Sequence, residues 1–224
     1  MRLGTKIFLL IFLVAFIISG STGSYFYFQS KQTMLRAIQE QLLTAAKSFS
    51  GSISGDDLEL LTSEEQMISP AYKRVQDVLY DITQTNPDFL YAYTMRLQDG
   101  QVYFVVDSPP SDDNQDGEIT ADELPAPIGE KYPDPPQTLL QGFVQPSVDS
   151  QLYQDQWGWT ISGYAPIQDS QGRNLGLLGI DMSAARMEAK LEEIQRAGLI
   201  SLGVSVLMAL CFTWLLSKSI TRPI

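Results

Sequence analysis

The sequence predicts an α+β domain held between two membrane-spanning helices. Three observations carry this. Two long apolar stretches near the ends contain no charge, two pairs of strand-like segments lie between them, and helical periodicity flanks those strands. Runs of antiparallel strands with helices segregated to one side define the α+β class.

The first apolar stretch covers residues 7–28 and the second residues 197–216. Each matches the roughly 20 residues that a helix needs to cross a bilayer core of about 30 Å. A soluble core helix seldom stays uncharged on every face for so long. The competing reading of the first stretch is a cleaved signal peptide, with Arg2 and Lys6 as its basic region and Ser19-Gly20-Ser21 as its small residues. Its apolar part is longer than a usual signal core, however. The aromatic cluster Tyr25, Phe26, Tyr27 and Phe28 suits the outer interfacial belt of a retained span.

Arg2 and Lys6 precede the first span, and Lys218 and Arg222 follow the second. The positive-inside rule then puts both termini (residues 1–6 and 217–224) in the cytoplasm and residues 29–196 outside it. Lys31 and Arg36, near the outer end of the first span, oppose this weakly. All 26 Asp and Glu residues lie between residues 30 and 196, against 11 of the 15 Lys and Arg, a net charge of −15 there. Such a surface repels nucleic acid and anionic headgroups and attracts cations.

Two absences narrow the chemistry. The single cysteine, Cys211, falls inside the second span, so the outer domain has no disulfide and depends on its core. There is no histidine. That excludes histidine-based zinc sites, Ser-His-Asp catalysis, a histidine pH switch and a phospho-accepting histidine within these residues.

After the first span, Leu35, Ile38, Leu42, Ala45 and Phe49 recur at helical spacing. This seam continues the membrane helix and faces either a second subunit or its own domain. Gly51 and Gly55 interrupt it, and Asp56-Asp57-Leu58 and Ser63-Glu64-Glu65 open short helical turns. A helix is predicted over Pro70–Thr85, N-capped by Ser69, with Val75, Val78, Leu79 and Ile82 on its apolar face; Asn86-Pro87 ends it. Strands are predicted at Leu90–Leu97 and Gln101–Asp107 about the hairpin turn Asp99-Gly100. A long polar loop and a helix near Gln137–Phe143 come next. Strands Trp157–Ile167 and Leu175–Met182 follow, joined by Asp169–Gly172. Beyond Ser183, Met187, Leu191 and Ile194 resume a helical pattern that leads into the second span.

Three pieces of this sequence resemble the Cache (PDC) branch of PAS-like extracytoplasmic sensors. They are the hairpin Tyr91–Ser108, the segment Trp157–Ala184 with its Tyr-Ala-Pro-Ile and Gly-Ile-Asp pieces, and Ser219–Ile224, which resembles the opening of a HAMP linker. The resemblance implies a PAS-like antiparallel sheet with a long N-terminal helix, binding a small ligand or ion outside a bacterial cell membrane. It implies that HAMP relays the change to a kinase, cyclase or chemotaxis output lying beyond residue 224, as in two-component signalling, and that the receptor is a homodimer.

The most specific chemical motif is Asp112–Glu123. It fits the twelve-residue EF-hand calcium loop, with Asp112, Asn114 and Asp116 as side-chain ligands, Gly117 at the sharp turn and Glu118 offering its carbonyl. Thr120 takes the ninth position and Glu123 the bidentate twelfth. The flanks depart from a helix-loop-helix: Ser108-Pro109-Pro110 precede the loop, and Pro125 and Pro127 follow. The expectation is a bound Ca²⁺ acting as a structural staple, since no exposed helix pair is there to open.

A small-ligand pocket is expected from Tyr93, Trp157, Trp159 and Tyr164, with Arg96, Asp107 and Asp181 as polar anchors. Tyr91 and Tyr103 belong to the same aromatic set. The resemblance places a ligand-binding carboxylate at Asp181. Strand alternation puts Trp159 and Tyr164 on opposite faces, so the aromatics do not all line one cavity. Three functions fit: a sensory input module, an extracytoplasmic protein-binding adaptor, and a membrane-tethered enzyme. The last has paired carboxylates but no nucleophile motif.

Overall fold

The computed structural model describes residues 3–109, 124–155 and 158–220. The chain divides into two compact units, residues 37–187 and residues 1–36 with 188–224.

Helix α1 runs unbroken from Leu3 to Ser50, and α5 from Ala184 to Ile220. In the terminal unit their large apolar side chains are exposed, among them Leu10, Phe16 and Ile18 on α1 and Leu199, Leu207 and Phe212 on α5. The apolar segment Glu192–Phe212 is 21 residues long. At about 1.5 Å per residue it matches a hydrocarbon core of about 30 Å. An apolar surface of this extent is unfavourable in water and costs nothing in lipid. The two helices meet where Phe12, Ala15, Phe16 and Ser19 face Ser205, Val206 and Ala209. Gln195 Nε2 donates to the Tyr27 hydroxyl at 2.7 Å.

The middle unit is built on an antiparallel sheet of seven strands among the described residues. These are β1 (Phe89–Gln98), β2 (Gln101–Asp107), β3 (Lys131–Tyr132), β4 (Ser147–Val148), β5 (Tyr153–Asp155), β6 (Gly158–Gln168) and β7 (Asn174–Ser183), in the order β3-β2-β1-β7-β6-β4, with β5 also on β6. The three central pairings follow the sequence patterns. The β1–β2 turn has positive φ at both Asp99 (51°) and Gly100 (74°), as a two-residue hairpin of type I′ requires. Strands β3, β4 and β5 carry no sequence signal: each has two or three residues, too few for alternation to register.

The helices are α2 (Gly55–Leu60), a 3-10 turn over Glu64–Ile68, α3 (Pro70–Thr85) and α4 (Gln137–Gly142). Ser69 caps α3 by accepting the Tyr72 N–H at 3.2 Å, and Pro70 holds the first helical position, as predicted. Helix α3 buries Val75, Leu79 and Ile82. Arg74 joins it to Asp57 of α2.

Of the predicted α1 seam, Ile38 and Leu42 are buried on its own domain, while Leu35, Ala45 and Phe49 are half-buried. Ile38, Leu42 and Ala46 are buried, and α1 presses so close to β6 that a Cβ on Gly163 would lie 2.8 Å from the Leu42 backbone. On the same face, Gly176 of β7 meets the Leu58 side chain of α2. The helices are not all on that side, however. Helix α4 covers the opposite face, where a Cβ on Gly142 would strike Tyr164 and Leu177. The sequence pattern of a single helical layer missed this because α4 is a short element inside a proline-rich loop.

Candidate functional site

The site lies on the sheet face beneath α4. Two rows of residues cross the three central strands there. Tyr91 of β1 pairs with Asp181 of β7, which pairs with Ser162 of β6; one step along, Tyr93 pairs with Gly179, which pairs with Tyr164. Period-two alternation therefore aims Tyr93, Asp181 and Tyr164 to one side. Gly179 lies between the two tyrosines, and a Cβ there would overlap the Tyr93 ring. The bare backbone lets that ring lie across β7, so its hydroxyl donates to Asp181 Oδ1 at 2.9 Å. Phe104 packs edge-on against Tyr93 and Tyr132, with centroids 5.7 and 6.0 Å apart. Leu139 and Phe143 close the cluster from above.

A second carboxylate, absent from the sequence reading, completes the group. Asp149 follows β4 and is 4% exposed. Its Oδ1 accepts from the Thr138 hydroxyl of α4. Its Oδ2 accepts from the Ser162 N–H at 3.0 Å and from the Tyr164 hydroxyl at 3.4 Å.

Burial governs the electrostatics. It pushes the Tyr93 phenol well above its usual range, and the Asp181 carboxylate adds to the effect. Tyr164 is raised by burial and then by Asp149 and Asp181. Both phenols are therefore neutral hydrogen-bond donors at physiological pH. Asp149 is raised by burial, opposed by its bonds from Thr138, Ser162 and Tyr164. The group is packed beneath α4, with Tyr93 and Asp181 each 6% exposed and Tyr164 2%, and it sets fixed hydroxyls and carboxylates among apolar side chains.

Of the sequence-predicted residues, the fold brings together Tyr93, Tyr164 and Asp181. Arg96 projects from the other face, where its guanidinium donates to the Leu58 carbonyl and lies near Glu59. Trp159 is 51% exposed. Trp157 and the calcium-loop residues Asp112, Asn114, Asp116, Glu118, Thr120 and Glu123 lie outside the described residues.

Asp107 is the Cα partner of Tyr93, but its carboxylate serves the chain that flanks the calcium motif. Oδ1 accepts from the Ser108 N–H at 2.8 Å and Oδ2 from the Ala126 N–H at 3.0 Å, joining the two ends of that segment. Burial pushes Asp107 up to about 6, against those two bonds and with help from Glu130. Its folded value thus exceeds its unfolded one, so the folded domain holds the proton more tightly. The resulting stabilisation is complete below about pH 4 and is lost as pH rises through about 6; two pK units correspond to at most about 3 kcal/mol. In chelator, the melting temperature of the wild type should fall by a few degrees more between pH 5 and pH 7 than that of Asp107→Asn. Identical pH slopes would show that Asp107 carries no such linkage.

No protein-family profile matches the sequence, and no curated protein is similar to it in sequence. Several solved structures are similar to it over part of the chain. The ligand-binding domain of the Campylobacter jejuni chemoreceptor Tlp3, in complex with L-valine, is 16% identical with a TM-score of 0.45, over 78% of this chain and 63% of that one. The Escherichia coli DcuS sensor domain is 12% identical with a TM-score of 0.47, over 71% of this chain and 98% of that one. A structure described as methyl-accepting chemotaxis protein X is 15% identical with a TM-score of 0.45, over 76% and 67% of the two chains. The chain thus spans about 63% of the Tlp3 domain it matches.

Proposed function

We propose that this chain is the sensory input module of a two-span transmembrane receptor in the bacterial cell membrane. Both termini are cytoplasmic, the middle unit is outside, and the receptor works as a homodimer. A small ligand binds beside Tyr93, Tyr164 and Asp181. The change passes along β7 into α5, and through a HAMP linker opening at Ser219 to a cytoplasmic output. The observation that carries this reading is the chain path: Asp181 sits three residues before α5 begins at Ala184, with no loop between β7 and α5. A displacement at the carboxylate therefore has a short and stiff route to the membrane helix.

The test is a thermal-shift screen of the whole chain in lipid nanodiscs against amino acids, small carboxylates and amines. A ligand at 100 times its Kd raises stability by about 2.7 kcal/mol. The hit should lose at least tenfold in affinity in Asp181→Asn and Tyr93→Phe. A hit whose affinity ignores both substitutions would overturn the site.

Calcium is proposed as a second occupant, in the 112–123 loop. The twelve-position fit of the sequence and the Asp107 clip across the loop's ends support it. Millimolar calcium should raise the melting temperature by several degrees over chelator, and Glu123→Gln should abolish the rise. A melt indifferent to calcium would remove the ion from the account and leave the ligand site standing.

A further inference from the structure

Three elements meet at Asp149. Its carboxylate takes the Thr138 hydroxyl from α4 and the Ser162 N–H from β6. Its backbone N–H donates to the Ser162 carbonyl at 2.9 Å. Its backbone carbonyl accepts Gln39 Nε2 from α1 at 2.8 Å, a contact between residues 110 apart in sequence. Among the described residues, no other α1 side chain within residues 37–50 hydrogen-bonds to another element. Among the described residues, Gln39 is therefore the one side-chain hydrogen bond from that part of α1 to another element.

Folding alone does not require this arrangement. A buried carboxylate held only by neutral donors is costly compared with an uncharged acceptor in the same place. Asp149 forms no ion pair among the described residues. What the charge adds is strength: each bond it accepts is charge-assisted, roughly twice as strong as a neutral one. The bond to Thr138 thus ties α4 firmly to the Asp149 backbone, and that backbone holds Gln39. Helix α4 is also the element lying over the candidate ligand face, through Leu139 and Phe143.

We propose that Asp149 is a relay residue: a shift of α4 against the sheet passes through the Asp149 carboxylate to Gln39, and so to α1. This goes beyond the function proposed above, which sends the signal along β7 into α5. It gives the first membrane helix its own input, because α1 is one helix from Leu3 to Ser50.

The test needs no ligand. Amide hydrogen exchange is measured on the whole chain in nanodiscs. Thr138→Val removes the hydroxyl and touches nothing on α1. It should speed exchange at α1 amides 39–46 about five-fold, the effect of losing one hydrogen bond. Thr138→Ser, which keeps the hydroxyl, should exchange like the wild type. Coupling is reciprocal, so Gln39→Ala should speed exchange in α4 by a similar factor. In an Asp149→Ala background, Thr138→Val should add nothing at α1. The relay is overturned if Thr138→Val and Gln39→Ala each act only on their own element. It is equally overturned if Thr138→Val loosens the whole domain and Thr138→Ser does the same. Should Thr138→Val prove too unstable to measure, an unchanged α4 in Gln39→Ala overturns it alone.

Discussion

Gly163→Ala is expected to lower the stability of the middle unit by about 3 kcal/mol, the upper end of what overpacking costs. The reason is geometric. The new methyl would lie 2.8 Å from the carbonyl carbon and oxygen of Leu42, and those atoms belong to a helix backbone that cannot turn aside as a side chain can. Leu42 is fully buried, so α1 would have to lift off β6 and open the core along Ile38, Leu42 and Ala46. For a unit of about 150 residues, 3 kcal/mol lowers the melting temperature by roughly 6–12 °C. Calorimetry of the wild type and variant measures this. An unchanged melt would mean that α1 is not seated on β6. Gly51→Ala is the control, since its Cβ would meet only the Ser48 carbonyl at 3.8 Å.

Gly179→Ala is expected to be nearly as damaging and to remove ligand binding as well. Its methyl would enter the Tyr93 ring, which is packed against Phe104 and cannot move in plane. The ring must tilt, and its hydroxyl then leaves Asp181. Overpacking costs about 1–3 kcal/mol and a hydrogen bond to a charged group about 1.5–3 kcal/mol. The two costs overlap, since one ring movement causes both, so about 3 kcal/mol in total is expected. The double variant Tyr93→Ala/Gly179→Ala separates the causes. With the ring gone the methyl has room, so the double variant should be no less stable than Tyr93→Ala alone. A double variant that loses the sum of both single effects would place the strain somewhere other than the ring.

Much of this architecture was legible in the residues. Helix α3 begins at Pro70 after a Ser69 cap and ends at Thr85 before Asn86-Pro87, because each boundary is set by local chemistry. The β1–β2 hairpin and the long β6 and β7 strands were legible because aromatic and β-compatible runs are bounded by the turns Asp99-Gly100 and Asp169–Gly172. Of the candidate ligand residues, Tyr93, Tyr164 and Asp181 lie on those long strands, and their common face follows from register.

The rest depended on tertiary placement. Thr138 stands on the short α4 and Asp149 just after the two-residue β4, and nothing local distinguishes a buried aspartate from a solvated one. Arg96 misled for the opposite reason. Its charge marked it as an anchor, but strand parity sends it to the α2 face, where it meets the end of that helix instead. Asp107 shares a register row with Tyr93, yet its carboxylate is drawn off by two backbone N–H groups that sequence spacing could not reveal.

Membrane topology underlies all of this, and cysteine labelling of whole cells tests it most directly. The lone native thiol is replaced by Cys211→Ser, and a new one is placed by Gln171→Cys at the exposed β6–β7 turn. A membrane-impermeant maleimide should label that position in intact cells as fully as after lysis. Labelling that appears only once the cells are broken would put the middle unit in the cytoplasm and contradict the account.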